Sequence, residues 1–280
     1  MTPPARPADT IAVCCDDPSL AAEAKTLAER LNLPLTSDPA NPSFPLLLTL
    51  TPHRLELRQT GKGAEGPLWV DFAAEALSYR RKHTTNRKES IARAAGLKGG
   101  ATPTVLDLTA GLGRDGFILA SLGCTVQLVE RSVLVGALLA DGMERARQEE
   151  SVAAIMARLS LTVGDSLEIL GRWQGPRPEV ICLDPMYPHR RKSALVKKEM
   201  RLLRLLVGDD QDSDRLLARA LMVAASRVVV KRPRLAPTLT GPEPNFTISG
   251  KNSRFDVYLV GDRGVMIQPG ERRPPSAKEV

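Results

Sequence analysis

Aromatic residues, histidines and cysteines are scarce in this chain of 280 residues. Phe, Trp and Tyr make up 4% of it, so the core must rest on Leu, Val, Ala and Ile. The three histidines and four cysteines show no zinc-ligand spacing, so the sequence predicts no metal site. The cysteines lie in or beside strand-like runs and are expected to be buried, reduced thiols, which indicates a reducing compartment.

Long apolar runs are also missing. No segment approaches the ~20 apolar residues that span a bilayer, and the first residues lack a charged start followed by an apolar stretch. We therefore expect a soluble, cytoplasmic protein. The net charge of +7 and the pI of about 9.4 favour a polyanionic partner such as nucleic acid, although many soluble proteins are mildly basic.

The first part of the chain predicts a small α/β N-terminal domain over residues 1–75, with one helix over Pro18–Leu31. Its strand-like runs are Thr10–Cys15, Leu46–Leu50, Arg54–Arg58 and Leu68–Phe72. Residues 76–103 are predicted to form a basic helical bridge with a Gly/Pro break, and residues 266–280 are expected to be a flexible tail.

Strands alternate with helices over residues 104–265, which predicts a mostly parallel sheet covered on both faces. The expected parallel strands are Val105–Leu108, Thr125–Glu130, Leu161–Val163, Val180–Leu183 and Arg227–Lys231. Phe246–Ser249 and Arg254–Val260 then predict an antiparallel hairpin. A parallel sheet that ends in a hairpin is typical of the Rossmann-like fold of class I methyltransferases, and we predict that α/β fold here.

A glycine-rich turn follows the first of these strands. Gly111 and Gly113 let the backbone approach a ligand, and Glu130 ends the next strand, where an acid can bind ribose hydroxyls. Asp107 and Asp115 would repel a pyrophosphate but suit the positive charges of S-adenosylmethionine (SAM). A tight turn without a ligand, or a dinucleotide loop in a dehydrogenase, stays open from this motif alone.

A second polar pair, Asp165 and Ser166, follows the third strand of this region. In this architecture the position lies beside the adenine of the cofactor. Asp and Ser also cap helices well, so these residues are equally expected to begin a helix.

The segment from Val180 to Pro188 is the most specific, because an apolar strand delivers Asp184, Pro185, Met186 and Tyr187 to the sheet edge where such folds place active sites. Asp184 and the carbonyl of Pro185 can accept hydrogen bonds from an exocyclic amine, and Tyr187 can stack on its base. These three residues are the predicted catalytic set for methyl transfer to an amine.

Four strings resemble the small-subunit ribosomal RNA (guanine-N2)-methyltransferase J family. They are Asp107-Leu-Thr-Ala-Gly-Leu-Gly-Arg-Asp115, Asp184-Pro-Met-Tyr-Pro-His189, Lys192-Ser-Ala-Leu-Val-Lys-Lys-Glu-Met-Arg201 and Val228-Val-Val-Lys-Arg-Pro233. The resemblance implies N2 methylation of a guanosine near the 3′ end of the small-subunit (16S) RNA. It also implies SAM contacts at Arg114, Asp115, Glu130, Arg131, Asp165, Ser166 and Asp184.

Basic residues gather near the catalytic set in sequence, and we expect them to form a rim that holds RNA phosphates while the target base is turned into the site. They are Arg80, Arg81, Lys82, Arg87, Lys88, His189, Arg190, Arg191, Lys192, Lys197, Lys198, Arg201, Lys231 and Arg232. Methylation of a DNA adenine or a protein glutamine, and a non-catalytic RNA-binding protein, remain alternatives, because the Asp184 motif does not distinguish these substrates.

Overall fold

The computed structural model describes residues 10–74, 89–98, 100–186, 212–250, 253–261 and 266–267. Within these ranges, no helix is both long enough and apolar enough to cross a membrane. All four cysteines are free thiols; Cys14, Cys124 and Cys182 are buried and Cys15 is half-buried.

The N-terminal part folds into a three-stranded sheet. Strand β1 (Ile11–Cys15) pairs in parallel with β2 (Leu46–Leu50), which pairs antiparallel with β3 (Leu55–Gln59). Helix α1 (Ala21–Leu31) packs its buried Ala and Leu side chains against β1. The predicted strand Leu68–Phe72 is wrong, because only Leu68 forms a bridge, to Leu57 of β3.

Strands and helices alternate through the rest of the chain, as the sequence predicts. In chain order they are α2 (Ser90–Ala95), β4 (Val105–Asp107), α3 (Arg114–Ser121), β5 (Val126–Glu130), α4 (Val133–Arg147), α5 (Glu150–Met156), β6 (Leu159–Val163), α6 (Ser166–Gly171), β7 (Val180–Leu183), α7 (Ser213–Val223), β8 (Arg227–Pro233), β9 (Phe246–Ser249) and β10 (Ser253–Leu259).

The larger sheet has seven strands in the order β6-β5-β4-β7-β8-β10-β9. Strands β4 to β8 are parallel, whereas β10 runs antiparallel between β8 and β9. The predicted mostly parallel sheet with a C-terminal antiparallel hairpin is therefore confirmed. The chain runs from β4 outward to β5 and β6 on one side and to β7 and β8 on the other, which leaves a switch point between β4 and β7.

Apolar side chains cover both faces of this sheet. Along β7, Val180 and Cys182 join one core cluster, while Ile181 and Leu183 join the cluster on the opposite face. Successive strand residues point to opposite faces, so a strand buried on both sides must be apolar throughout. This packing holds the carboxyl ends of the strands in a fixed arrangement.

The segment after β3 joins the two sheets. Val70 leaves no room for a Cβ at Gly142 of α4, and the Val70 carbonyl accepts a short hydrogen bond from Arg145. The ring of Phe72 lies 5.1 Å from the ring of Phe117 in α3. These contacts explain why the segment does not continue as a fourth strand of the small sheet: its apolar side chains are buried against α3 and α4 instead.

Candidate active site

Four charged residues converge at the carboxyl edge of the large sheet. Asp107 ends β4, Glu130 ends β5, Asp184 follows β7, and Lys231 lies near the end of β8. Parallel strands bring their carboxyl ends to one edge, and ligands bind there at the switch point of the strand order. The sequence predicts the three acids at this edge and Lys231 on an RNA-binding rim, and it gives no indication of which of the four side chains touch.

The loop between β4 and α3 has the backbone shape that its glycines predict. Gly111 and Gly113 adopt positive φ angles of 53° and 71°, and the Gly113 amide donates to the Ala110 carbonyl at 2.8 Å. A Cβ at Gly113 would lie 2.9 Å from Leu139 and 3.1 Å from Phe72, whereas a Cβ at Gly111 would meet no atom within 4 Å. Gly113 is thus needed for packing, while Gly111 lines open space.

Backbone hydrogen bonds tie this loop to both neighbouring strands. The Leu108 amide donates to the Cys182 carbonyl of β7, and the Ala110 amide donates to the Val129 carbonyl of β5, each at 3.0 Å. The loop is therefore held from two sides before any ligand arrives, which limits the ordering that binding must impose.

The side chain of Glu130 supports the turn directly. One carboxylate oxygen accepts from the Gly111 amide and the other from the Ser132 amide, both at 2.8 Å. The side chain is 5% exposed. The predicted acid at the end of β5 is thus placed beside the glycine loop, where it fixes the loop and borders the open space at Gly111.

Asp165 and Ser166 begin α6 beside the same loop. The Asp165 carboxylate caps the helix by accepting from the Glu168 amide at 3.0 Å. The buried Ser166 hydroxyl donates to the Leu108 carbonyl at 2.6 Å. The expected helix cap is confirmed, and a contact of this pair with adenine stays a prediction.

Thr109, which is not among the residues predicted from the sequence, connects the loop to the predicted catalytic set. Its hydroxyl accepts from the Asp184 amide at 2.6 Å, and its own amide donates to an Asp107 oxygen at 3.1 Å. The sequence offers one indication of this role, namely a hydroxyl-bearing residue two positions after Asp107 at the end of a strand. Thr109 sets the position at which the chain leaves β7 as Asp184-Pro185.

Lys231 bridges two carboxylates at the centre of the site. Its Nζ donates to Asp115 Oδ2 at 2.6 Å and to Asp184 Oδ2 at 2.8 Å. Burial acts to lower the pKa of Lys231, but the charges of Asp184 and Asp115 outweigh it and raise that pKa, so the ammonium stays charged. The structure therefore places Lys231 within the site rather than on the RNA rim that its neighbours in sequence predict.

Asp107 lies beneath this ion cluster and is buried. Burial, together with the negative charges of Asp115 and Asp184, raises its pKa to about 7, although the Thr109 amide and Lys231 act in the opposite direction. A carboxyl group with this pKa changes its charge near neutral pH.

This pKa predicts a pH-dependent stability. The pKa is near 3.9 in an unfolded chain, so the folded state holds a proton between about pH 4 and 7 that the unfolded state releases. The contribution of Asp107 to the free energy of unfolding is fully present below about pH 4. It falls as the pH rises towards 7, by up to about 1.4 kcal/mol per pH unit. Asp107→Asn keeps an acceptor for Thr109 and should flatten the decline in urea unfolding between pH 5 and 8; equal slopes for both proteins would contradict the assignment.

Several other predicted site residues are placed by the structure. Arg114 is exposed at the start of α3, and Arg131 pairs with Asp212 at 3.3 Å. The expectation that Arg232 lies on the RNA rim requires a correction, because its side chain is 5% exposed and its guanidinium donates to the Pro237 carbonyl at 3.1 and 3.2 Å. It therefore cannot reach a phosphate in this conformation.

The remaining predicted residues lie outside the described residues. They are Tyr187 of the catalytic set and the basic residues Arg80, Arg81, Lys82, Arg87, Lys88, His189, Arg190, Arg191, Lys192, Lys197, Lys198 and Arg201. Their roles stay predictions.

Comparisons with known proteins agree on one family. A family model of SAM-dependent methyltransferases matches residues 26–260. The ribosomal RNA small subunit methyltransferase J of Thioalkalivibrio sulfidiphilus is 53% identical over 239 residues, which cover 85% of this chain and 93% of that protein. The protein of the same name from Dechloromonas aromatica is 48% identical over 86% of this chain and 96% of its own length. The chain belongs to the ribosomal RNA small subunit methyltransferase J family.

A solved structure supports the fold as well. The crystal structure of a SAM-dependent methyltransferase from Neisseria gonorrhoeae aligns with a TM-score of 0.69 and 39% identity, covering 89% of this chain and 96% of that one. The protein is thus a SAM-dependent methyltransferase, and the predicted fold, enzyme class and cofactor are confirmed.

The residues at the carboxyl edge fit SAM. The cofactor carries a positive sulfonium and a positive ammonium group, and the carboxyl groups of Asp115, Glu130 and Asp107, the last with a pKa of about 7, lie around the loop as acceptors. Gly111 faces space in which a Cβ would meet no protein atom. Among the described residues no cluster of His, Cys, Asp and Glu could hold a metal ion.

The two loop glycines should respond differently to alanine. Gly111→Ala places a methyl group in the open space and should weaken SAM binding about tenfold, or 1.4 kcal/mol, with a smaller effect on folding. Gly113→Ala forces a Cβ against Leu139 and Phe72 and should cost about 1–3 kcal/mol of stability. Calorimetric titration with SAM and thermal unfolding separate the two effects; equal effects of both variants on both measurements would contradict this account of the loop.

Proposed function

We propose that this protein transfers the SAM methyl group to the exocyclic N2 of a guanosine in small-subunit (16S) ribosomal RNA. The observation that carries the proposal is the placement of Asp184. It follows β7 at the carboxyl edge and is held by Thr109 and Lys231 beside the glycine loop between β4 and α3. The shared name of the relatives supports small-subunit ribosomal RNA as the substrate. We also propose that it acts in the cytoplasm, where its free thiols stay reduced.

The chemistry requires an amine lone pair that is directed at the methyl donor. When bound, SAM supplies an electrophilic methyl group on a positively charged sulfur. In this proposal the Asp184 carboxylate accepts a hydrogen bond from the amine, and the Pro185 carbonyl accepts a second one. These two bonds orient the amine nitrogen, so that catalysis comes mainly from positioning. Tyr187 would stack on the guanine and fix its plane.

Lys231 and Thr109 prepare Asp184 for this role. The Lys231 ammonium donates to Asp184 Oδ2 and holds it in place, while the Thr109 hydroxyl fixes the backbone at the Asp184 amide. The amine that gains a methyl group must lose a proton, and we assign the Asp184 carboxylate as its acceptor. Its side chain is 49% exposed, so the proton can pass on to solvent.

A labelled-methyl assay tests the polymer specificity. Purified protein and labelled SAM are incubated with small ribosomal subunits that lack their base methylations, with the naked 16S RNA and with duplex DNA. We expect label in the small-subunit RNA and none in DNA. Label in DNA, or no label in any acceptor while SAM still binds, would contradict the proposal.

A further inference from the structure

The end of β8 extends beyond the neighbouring strand and borders the active site. Val230 is the register partner of Leu183, the last residue of β7, so Lys231, Arg232 and Pro233 continue past that strand. They remain paired with β10, where Pro233 lies opposite Ser253. The two strands thus form a wall beside Asp184.

The tip of this wall exposes a large apolar side chain. Leu235 is 91% exposed, the highest value among the exposed large hydrophobic residues described, and its neighbour Arg234 is also exposed. Four residues of extended chain span at most about 14 Å, so Leu235 lies within that distance of Lys231 along the chain. A single exposed leucine is ordinary on a protein surface. Leu235 differs because hydrogen bonds from two arginines hold the turn that carries it.

Two arginines fix the turn that carries Leu235. The buried Arg232 guanidinium donates to the Pro237 carbonyl, and Arg254 Nη1 donates to the carbonyls of Arg234 and Ala236. The Ala236 amide also donates to the Pro233 carbonyl at 3.0 Å. The carbonyls of Arg234 and Ala236, on either side of Leu235, are therefore both fixed by hydrogen bonds from Arg254.

Arg254 is itself held in place by a buried acid. Asp256 is fully buried on β10 and accepts from Arg254 at 2.8 and 3.1 Å. An arginine whose position is fixed by a buried partner makes a rigid support for the carbonyls it binds. The turn thus presents an apolar tip in a defined position while the polar groups beneath it are satisfied.

We propose that Leu235 acts as a wedge that enters the RNA beside the target guanosine while the base occupies the Asp184 site. This inference rests on the proposed function. An enzyme that acts on a base must take it out of its stack, and apolar side chains inserted between bases compensate for the lost stacking. Exposed Arg234 would contact the adjacent phosphate, which places the apolar tip against the bases.

The test compares three variants in the small-subunit methylation assay. Leu235→Ala removes the wedge, and Leu235→Met keeps its apolar bulk. Met222→Ala is the matched control, because Met222 is 63% exposed near the C-terminal end of α7. Its carbonyl accepts from Arg177, which precedes β7, so Met222 lies near the amino edge of the sheet, away from Asp184. We expect Leu235→Ala to lower kcat/KM for the RNA about tenfold, equivalent to about 1.4 kcal/mol in the barrier. Leu235→Met and Met222→Ala should stay within twofold of wild type.

Binding and stability measurements on Leu235→Ala show whether a loss of activity comes from the RNA contact alone. SAM affinity and melting temperature should be unchanged in Leu235→Ala, because the side chain is exposed and contributes little to the core. A Leu235→Ala variant as active as wild type would overturn the wedge and leave the proposed function standing. An equal loss in Leu235→Ala and Met222→Ala would also overturn it. Absence of transfer to any RNA by the wild-type protein would instead overturn the proposed function, and the wedge with it.

Discussion

Replacing Asp184 with alanine should lower kcat for methyl transfer by about 100-fold or more while RNA affinity stays close to wild type. The carboxylate is the group that orients the target amine, and an amine without that acceptor is no longer directed at the methyl donor. Because the side chain is 49% exposed, its loss creates no cavity in the core. Single-turnover transfer and filter binding of the RNA measure the two quantities.

Asp184→Asn provides the matched comparison. Asparagine keeps one carbonyl oxygen that can accept from the amine, but it lacks the charge that Lys231 neutralises. Its activity should therefore fall between wild type and Asp184→Ala. Activity of Asp184→Ala within tenfold of wild type would show that another group accepts from the amine.

Replacing Lys231 with methionine should lower kcat about tenfold to 100-fold and shift the acidic limb of the pH profile to higher pH. Methionine fills a similar volume without the ammonium, so Asp115 and Asp184 face each other without the cation between them. Asp184 then lacks the positive charge that favours its carboxylate form, so we expect activity to be lost at a higher pH on acidification. The measurement is kcat against pH from about 5 to 9.

Two further variants separate positioning from a structural effect. Lys231→Arg keeps the positive charge and should restore the wild-type pH profile even if kcat stays reduced. Lys25→Met removes an exposed lysine that is 4.0 Å from Glu29 on α1, and it should change neither quantity. A loss of activity in Lys231→Met with an unchanged pH profile would mean that Lys231 only stabilises the fold.

Local patterns predicted the strands and the site edge well, because burial on both faces demands continuous apolar runs. The strands Val180–Leu183 and Phe246–Ser249 have the same bounds in the structure as in the prediction. Glu130 was predicted from its place at the end of a strand. Each of these inferences depends on residues that are neighbours in the sequence.

Side-chain pairing across the fold could not be predicted in the same way. Lys231 was expected to contact RNA, yet it meets Asp115, which is 116 residues away in sequence. Arg232, the next residue, points to the other side of β8 and is buried against the Pro237 carbonyl. In a run of Lys and Arg the sequence does not say which side chain faces the site, because the direction depends on the register of β8 with its neighbours.

The failed strand prediction at Leu68–Phe72 has a similar cause. Leu68, Val70 and Phe72 alternate with other residues, as in a half-buried strand. Only Leu68 pairs with a strand, whereas Val70 and Phe72 pack against α4 and α3. Alternation reports that one side of a segment is buried, and it does not report what covers that side.

Identification of the methylated nucleoside tests the central claim most directly. Small-subunit RNA labelled by the protein is digested to nucleosides and separated against standards of N1-, N2- and N7-methylguanosine and N6-methyladenosine. An amine held by Asp184 and Pro185 at the carboxyl edge predicts that all of the label lies in N2-methylguanosine. Label in N1- or N7-methylguanosine would contradict the amine mechanism, and label in N6-methyladenosine would contradict the assignment of guanine as the target base.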